Sequence, residues 1–429
     1  MFGFRLCAAL LVAARLVVQL ILDELNRREA LRNADRCPPA LEGLMDPGAY
    51  GKSVRYTVAK ARLSSAESAY GAAVLLVLLF SGVLPWLWRS IGGPAPGAPW
   101  SGALFVLAAM ALPGLLGLPL EWWSQFRLEE RFGFNRSSLG LWVADQAKYL
   151  ALGLAVGFPV MWALLALADR AGALWWVWGF ALLFGVRLVM IVLFPRVILP
   201  LFNKLSALPG GDLRNRLLAL AGRTQFPAST IEVMDGSRRS GHSNAFFTGF
   251  GRFRHIVLFD TLMAQLAPEE VEAVLAHEIG HYKCGHVPKA LALTAVLQFA
   301  AFAAIAWLAR IGSFNAAFGL PPHGLAPTFL LVGLAGGLVT FWFAPAANWL
   351  SRRNEYEADA FAMDAVGSSA PMTGALRKLS RENLSNLTPH PIYSMVYYSH
   401  PTLVERERAL SGRARSVERR ADPSPASGA

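Results

Sequence analysis

Long apolar runs recur along this chain and are separated by polar segments. They fall at residues 6–22, 70–88, 100–122, 149–168, 174–194, 287–309 and 327–350. A helix that crosses a bilayer needs about 20 mostly apolar residues, so these runs predict about seven membrane spans. The first carries Arg15 and Gln19 and reads as a signal peptide, a span or an interfacial helix. No small-x-small cleavage site precedes the charged stretch after it, which favours a retained span. The third is expected to be broken at Pro113 and Pro119. The fifth contains Arg187, a functional candidate inside a membrane unless it snorkels to the interface.

Residues 203–286 differ in pattern and predict a non-membrane α+β insert. Asp212 is placed to cap a helix carrying Leu213, Leu217 and Leu220. Short alternating runs at 231–234, 245–248 and 255–259 predict strands. The expected organisation is an N-terminal membrane region over 1–202 and a second region over 203–412 that includes two further spans. A charged, Pro/Ser/Ala/Gly-rich tail over 413–429 is expected to be disordered.

Composition agrees with the membrane reading. The chain is 54% hydrophobic and 16% charged, too apolar for an ordinary soluble protein. A net charge of +11 would suggest a nucleic-acid partner in a soluble protein, but here it reports topology, and no nucleic acid is expected. Segment 23–65 holds eight basic residues: Arg27, Arg28, Arg32, Arg36, Lys52, Arg55, Lys60 and Arg62. Segment 123–148 holds four: Arg127, Arg131, Arg136 and Lys148. The insert and the C-terminal region are also basic, while the intervening loops are nearly free of Lys and Arg. This alternation places the insert on the cytoplasmic side and the N-terminus outside. Cys7, Cys37 and Cys284 form no disulfide or metal pattern, and Cys284 reads as a packed thiol.

The insert ends in candidate chemistry. Pro268 suits a first helical position, and Glu269 and Glu270 suit the first turn. The helix then carries His277-Glu278-Ile279-Gly280-His281, the His-Glu-x-x-His pattern. Two imidazoles four residues apart share one helix face and supply half of a tetrahedral zinc site. Glu278, offset around the helix, can reach a water rather than the metal. Val271, Leu275 and Ile279 form an apolar row on the other side.

A catalytic zinc needs a third protein ligand. The residues after the seventh span return to the same membrane face, where Glu355 and Asp359 lie four apart. Glu355 can complete the coordination, and Asp359 can accept a hydrogen bond from a ligating histidine. His286 is the alternative third ligand. A third histidine ten residues after the first is excluded, because that position is Val287.

These motifs occur in an order that resembles the CAAX prenyl protease 1 family, integral-membrane zinc peptidases of the gluzincin type. The resemblance covers about residues 50–412. It rests on the segments 126–136, 200–204, 237–245, 258–262, 277–281, 351–359 and 400–406. It implies a mostly α-helical polytopic fold in which seven spans surround a chamber, with an α+β zinc protease domain facing it from the cytoplasmic side. It implies one Zn2+ held by His277, His281 and Glu355, and Glu278 as general base. Asp359 becomes a supporting partner or proton donor, and His400 a donor to the oxyanion. Asn244 and Ala245 line an edge strand for the substrate backbone, and Arg406 supports the site or binds substrate.

The expected activity is hydrolysis near the C-terminus of prenylated Cys-a-a-X proteins or functional analogues, from within a lipid bilayer. A quality-control protease without a prenyl requirement uses the same chemistry. A non-catalytic seven-span scaffold is opposed by the complete residue set. Compact loops and the lack of an endoplasmic-reticulum retrieval signal suggest a bacterial cytoplasmic membrane.

Overall fold

The computed structural model describes residues 1–35, 37, 42–91, 98–226, 230–248 and 255–421. Among the described residues, seven helices are long and apolar enough to cross a membrane. They are α1 (Phe2–Arg32), α2 (Pro47–Phe80), α3 (Pro99–Phe132), α4 (Leu139–Arg170), α5 (Gly172–Phe202), α8 (His286–Ala309) and α9 (Leu325–Val366). Between α5 and α8 lie β1 (Leu205–Ala207), α6 (Asp212–Arg223), β2 (Thr230–Met234), β3 (Ala245–Thr248), β4 (His255–Phe259) and α7 (Pro268–Lys283). Helices α10 (Ala370–Glu382) and α11 (Leu403–Ala421) follow α9.

Several boundaries differ from the sequence reading, each for a local reason. Segment 23–65 is mainly helix rather than loop. Asp46 accepts hydrogen bonds from Gly48 N and Ala49 N, and Pro47 opens α2, so α2 starts well before the apolar run. At 34 residues, α2 is about 50 Å long and projects about 20 Å beyond a hydrocarbon core. It ends at Phe80, and Trp86 to Trp88 belong to a separate short helix, Val83–Ser90. Pro85 cannot donate the N–H that one continuous helix would require. Pro113 and Pro119 do not break α3, which is α-helical to Trp123 and continues through a wider π-type turn at Ser124–Glu129. Asp212 lies in the first turn of α6 rather than at its cap. β1, three residues long, was too short to register as a strand. The expected disorder from Arg413 does not hold to Ala421: α11 is helical there, and Arg413 pairs with Asp364. Residues 422–429 lie outside the described residues. Arg187 is exposed on α5.

The sheet has the order β1-β2-β4-β3. β2 and β4 run parallel, Ile231 opposite Ile256 and Val233 opposite Leu258. β3 is an edge strand, antiparallel to β4, with Ala245 opposite Leu258. Leu217, Leu220, Leu258, Leu275 and Ile279 are fully buried between the sheet, α6 and α7. This core fixes the apolar side of α7 and leaves its histidine side free for chemistry.

The four basic segments named above meet in space. From α2, the Tyr56 hydroxyl donates to Glu129 Oε1 (2.8 Å) and the Ser53 hydroxyl to the Ser385 carbonyl (2.8 Å). Asp145 of α4 pairs with Arg239 of the insert (2.8 Å). Asn386 donates to Asn26 of α1 (3.0 Å). The polar ends of α1–α4 therefore sit on the same side as the insert and the C-terminal helices.

Candidate metal centre

Helix α7 is built to hold its two histidines still. Pro268 is its first residue, and the Glu270 carboxylate accepts from Ala267 N (2.8 Å) and from Lys378 Nζ (2.7 Å). Glu272 is clamped by Arg216 and Arg223, both at 2.8 Å. Gly280 lets α7 approach α9 very closely. A Cβ there would lie 3.0 Å from both Cα and the carbonyl oxygen of Ala358. Ala358 stands between Glu357 and Asp359, so this contact sets the distance from the histidines to the carboxylates of α9.

His277 Nε2 and His281 Nε2 are 3.2 Å apart. Glu355 Oε2 is 3.4 Å from His277 Nε2, and Oε1 is 3.3 Å from His281 Nε2. A tetrahedral ion about 2.0–2.1 Å from each donor would set donor separations of about 3.3–3.4 Å, so the three groups are spaced as a metal would space them. Glu355 is 4% exposed, and its Oε2 has no hydrogen-bond partner. A buried carboxylate oxygen without a donor is costly unless a cation takes its place. His286, the alternative third ligand, is excluded from this triad by position. Its Nδ1 lies 2.9 Å from the far nitrogen of His281, Nδ1.

His277 Nδ1 is 2.8 Å from Asp359 Oδ1, the contact expected of a ligating histidine and its supporting carboxylate. Asp359 is 2% exposed and is gripped by Arg406 through Nε (2.8 Å) and Nη2 (2.5 Å). Arg406 is itself buried. Its guanidinium is hydrogen-bonded to Asp359 and lies 3.9 Å from Glu355. Burial alone would push His277 down, but the carboxylates of Asp359 and Glu355 beside it prevail and raise it to about 9. Burial pushes the Glu278 carboxyl up against the pull of His277 and His281. A raised carboxyl suits a general base that must also give its proton back.

His400 Nε2 is 3.4 Å from Glu355 Oε1, and its Nδ1 is 3.0 Å from the Ser399 hydroxyl. Its side chain lines a cavity of about 740 Å³ that also includes Tyr56, Lys60, His242 and Tyr398. Desolvation pushes His400 down, towards the neutral form. Asn244 is exposed and precedes β3, with its carbonyl accepting from Phe259 N (3.2 Å). Ala245 is the first residue of the edge strand.

Sequence reasoning missed the residues that dock this edge strand on the membrane helices. Asn135 and Ser240 form an isolated β-bridge, and Gly241 N donates to the Phe134 carbonyl (2.8 Å). The His242 ring stacks on Phe134 at 3.9 Å and reaches Glu129 Oε2 (3.2 Å) and Asn383 Oδ1 (3.2 Å). The segments 126–136 and 237–245 stand apart in the sequence, and nothing in their spacing says that they pair. Cys284 is half-buried, with its thiol grouped near His286 and Glu357.

Seven membrane helices joined to a His-Glu-x-x-His helix and a downstream glutamate define a membrane metallopeptidase. The comparisons agree. A family model described as the CAAX prenyl protease N-terminal region, five membrane helices, matches residues 26–204, and peptidase family M48 matches residues 207–414. The CAAX prenyl protease 1 of Saccharomyces cerevisiae is 34% identical over 403 residues, covering 87% of this chain and 88% of that protein. The CAAX prenyl protease 1 homologue of Arabidopsis thaliana is 33% identical over 398 residues (89% and 92%), and the human homologue 32% over 437 residues (90% and 90%). The crystal structure of S. mikatae Ste24p superimposes with a TM-score of 0.86 at 31% identity, covering 95% of this chain and 98% of that one. The chain belongs to the CAAX prenyl protease 1 family of M48 peptidases. It is an integral, multi-pass metalloprotease that hydrolyses peptide or protein substrates.

Proposed function

We propose that the resident metal is zinc, one per chain, held by His277, His281 and Glu355. We further propose that the site opens to the cytoplasmic side and cuts near the C-terminus of prenylated Cys-a-a-X proteins or functional analogues. The observation that carries the metal assignment is the 3.2–3.4 Å spacing of two imidazole nitrogens and a carboxylate whose buried Oε2 makes no hydrogen bond among the described residues. Two nitrogens and one oxygen leave a fourth position open, the arrangement of a catalytic zinc rather than a structural one. The orientation is supported by the basic segments that share the side of the insert. The prenylated substrate class is supported by the names of the relatives.

When bound, zinc supplies a Lewis acid that polarises the scissile carbonyl and brings the pKa of water towards about 7. Glu278 takes the proton from the attacking water and delivers it to the leaving amine. Edge strand β3, entered through Asn244 and Ala245, pairs with the substrate backbone and fixes the scissile bond in register. His400 Nε2 donates to the carbonyl oxygen as negative charge builds, at a scale of about 3 kcal/mol for one such donor. Asp359 and Arg406 keep the His277 ring oriented.

The test is zinc content together with cleavage of a farnesylated Cys-a-a-X peptide and its unprenylated twin, with Glu278→Gln as control. One zinc per chain and preferred cleavage of the farnesylated peptide, lost in Glu278→Gln, support the proposal. Equal cleavage of both peptides would replace the substrate class with general membrane proteolysis. Absence of zinc and of cleavage in folded protein would overturn it.

A further inference from the structure

The two histidines of the triad are backed differently. His277 Nδ1 leans directly on a buried carboxylate, Asp359. His281 Nδ1 instead faces another imidazole, His286 Nδ1, at 2.9 Å. His286 is 5% exposed and opens α8 immediately after Gly285. Gly285 has φ of +70°, a left-handed conformation that folds the chain back on itself and returns His286 against His281.

Proton positions follow from this geometry. The Nε2 of His281 faces His277 and Glu355, so Nε2 is the atom that presents a lone pair to the metal. A neutral imidazole with a free Nε2 carries its proton on Nδ1. Two Nδ1 atoms at 2.9 Å cannot both carry one, so His286 Nδ1 must accept. The His286 proton is then on Nε2, and a carboxylate acceptor waits there: Glu357 Oε2 at 3.2 Å. The other oxygen of Glu357 accepts from Arg353 Nε, also at 3.2 Å. Every donor in the line from His281 to Arg353 meets an acceptor in only one arrangement.

We propose that His286 is a positioning residue for His281, accepting its Nδ1 proton and thereby holding it in the tautomer whose Nε2 can ligate zinc. This rests on the zinc reading above. It also explains how Cys284, His286 and Glu357, whose ligand atoms lie within 4.8 Å of one another, stay a packed group with His286 bonded to Glu357 rather than a second metal site. A cation on His286 Nε2 would force its proton onto Nδ1, against His281. The two metal positions exclude each other.

The experiment measures the zinc dissociation constant of the full-length, detergent-purified protein by chelator competition. It is paired with the visible spectrum of the cobalt-loaded form and a melting curve to establish folding. His286→Ala weakens zinc binding about 10- to 100-fold and shifts the cobalt spectrum. His286→Asn, whose Oδ1 can accept at nearly the same point, recovers most of that loss. Cys284→Ala binds zinc as the parent does, and every form binds one equivalent. Unchanged affinity in folded His286→Ala overturns the proposal, as does an equal loss in His286→Ala and His286→Asn, which would indicate packing alone. Two equivalents in the parent falling to one in Cys284→Ala would overturn it in favour of a second metal site. A parent that binds no zinc would instead overturn the reading on which the proposal rests.

Discussion

Gly280→Ala is the substitution whose effect follows most directly from the geometry. The added methyl would meet Ala358 Cα and its carbonyl oxygen at 3.0 Å and Phe361 Cβ at 3.2 Å, and two of these three atoms are backbone. Ordinary contacts begin near 3.4 Å. Relief therefore requires α7 and α9 to part by about 0.4 Å, because neither backbone atom can rotate away. Glu355, about one helical turn before Ala358, and Asp359, next to it, move with it, whereas a zinc site tolerates about 0.2 Å in its metal–donor distances. The expected loss of zinc affinity is about 10- to 100-fold, or about 1.4–2.8 kcal/mol. Global stability should change less. Overpacking costs about 1–3 kcal/mol, but replacing a mid-helix glycine by alanine returns about 1 kcal/mol. The assay is chelator competition alongside thermal unfolding, with Gly222→Ala as control, since a Cβ there meets nothing within 4 Å. If Gly280→Ala kept parental zinc affinity, the argument that this contact sets the ligand spacing would be wrong.

Glu278→Gln should retain zinc and lower kcat by at least the 10²- to 10⁴-fold typical of a general base, as read by single-turnover cleavage. Arg406→Ala leaves the Asp359 carboxylate buried with His277 as its remaining partner; unfolding titrations should show a loss of up to about 3–5 kcal/mol, and a variant of parental stability would remove Arg406 from its supporting role. Zinc affinity should depend on pH through His277, whose pKa stands at about 9 against an ordinary 6.5. In protein stripped of metal, the extra proton stabilises the fold fully below pH 6.5, and that stabilisation is lost as pH rises through about 9. The metal must displace the same proton, so apparent affinity should climb about tenfold per pH unit up to roughly pH 9 and then level off. A flat profile from pH 7 to 9 would show that His277 is not the proton-limited ligand.

Much of the site was legible because its chemistry needs fixed residue types at helical spacing. His277 and His281, and Glu355 and Asp359, each lie four apart on a helix, and the span count put both pairs on one membrane face. The spans were legible for the same reason: lipid demands long apolar runs. What remained hidden was long-range. The sequence leaves Arg406 open to either role because it does not show that the guanidinium bonds a carboxylate 47 positions earlier. The pairing of Asn135 with Ser240 and the stacking of His242 on Phe134 join two segments about 100 residues apart. The polar ends of α1 and α2 were read as loop because apolarity was taken as the mark of helix, whereas outside the bilayer the Asp46-Pro47 cap starts a helix without it. The helix past Arg413 was hidden similarly: Arg413 is held by Asp364, a partner 49 positions earlier.

The central claim is that His277, His281 and Glu355 hold one zinc. Zinc K-edge X-ray absorption on the purified, detergent-solubilised protein tests it most directly. The account predicts one zinc per chain with nitrogen and oxygen donors only, at about 2.0–2.1 Å, and two imidazoles in the outer scattering. A sulfur donor near about 2.3 Å would put Cys284 on the metal and contradict the assignment.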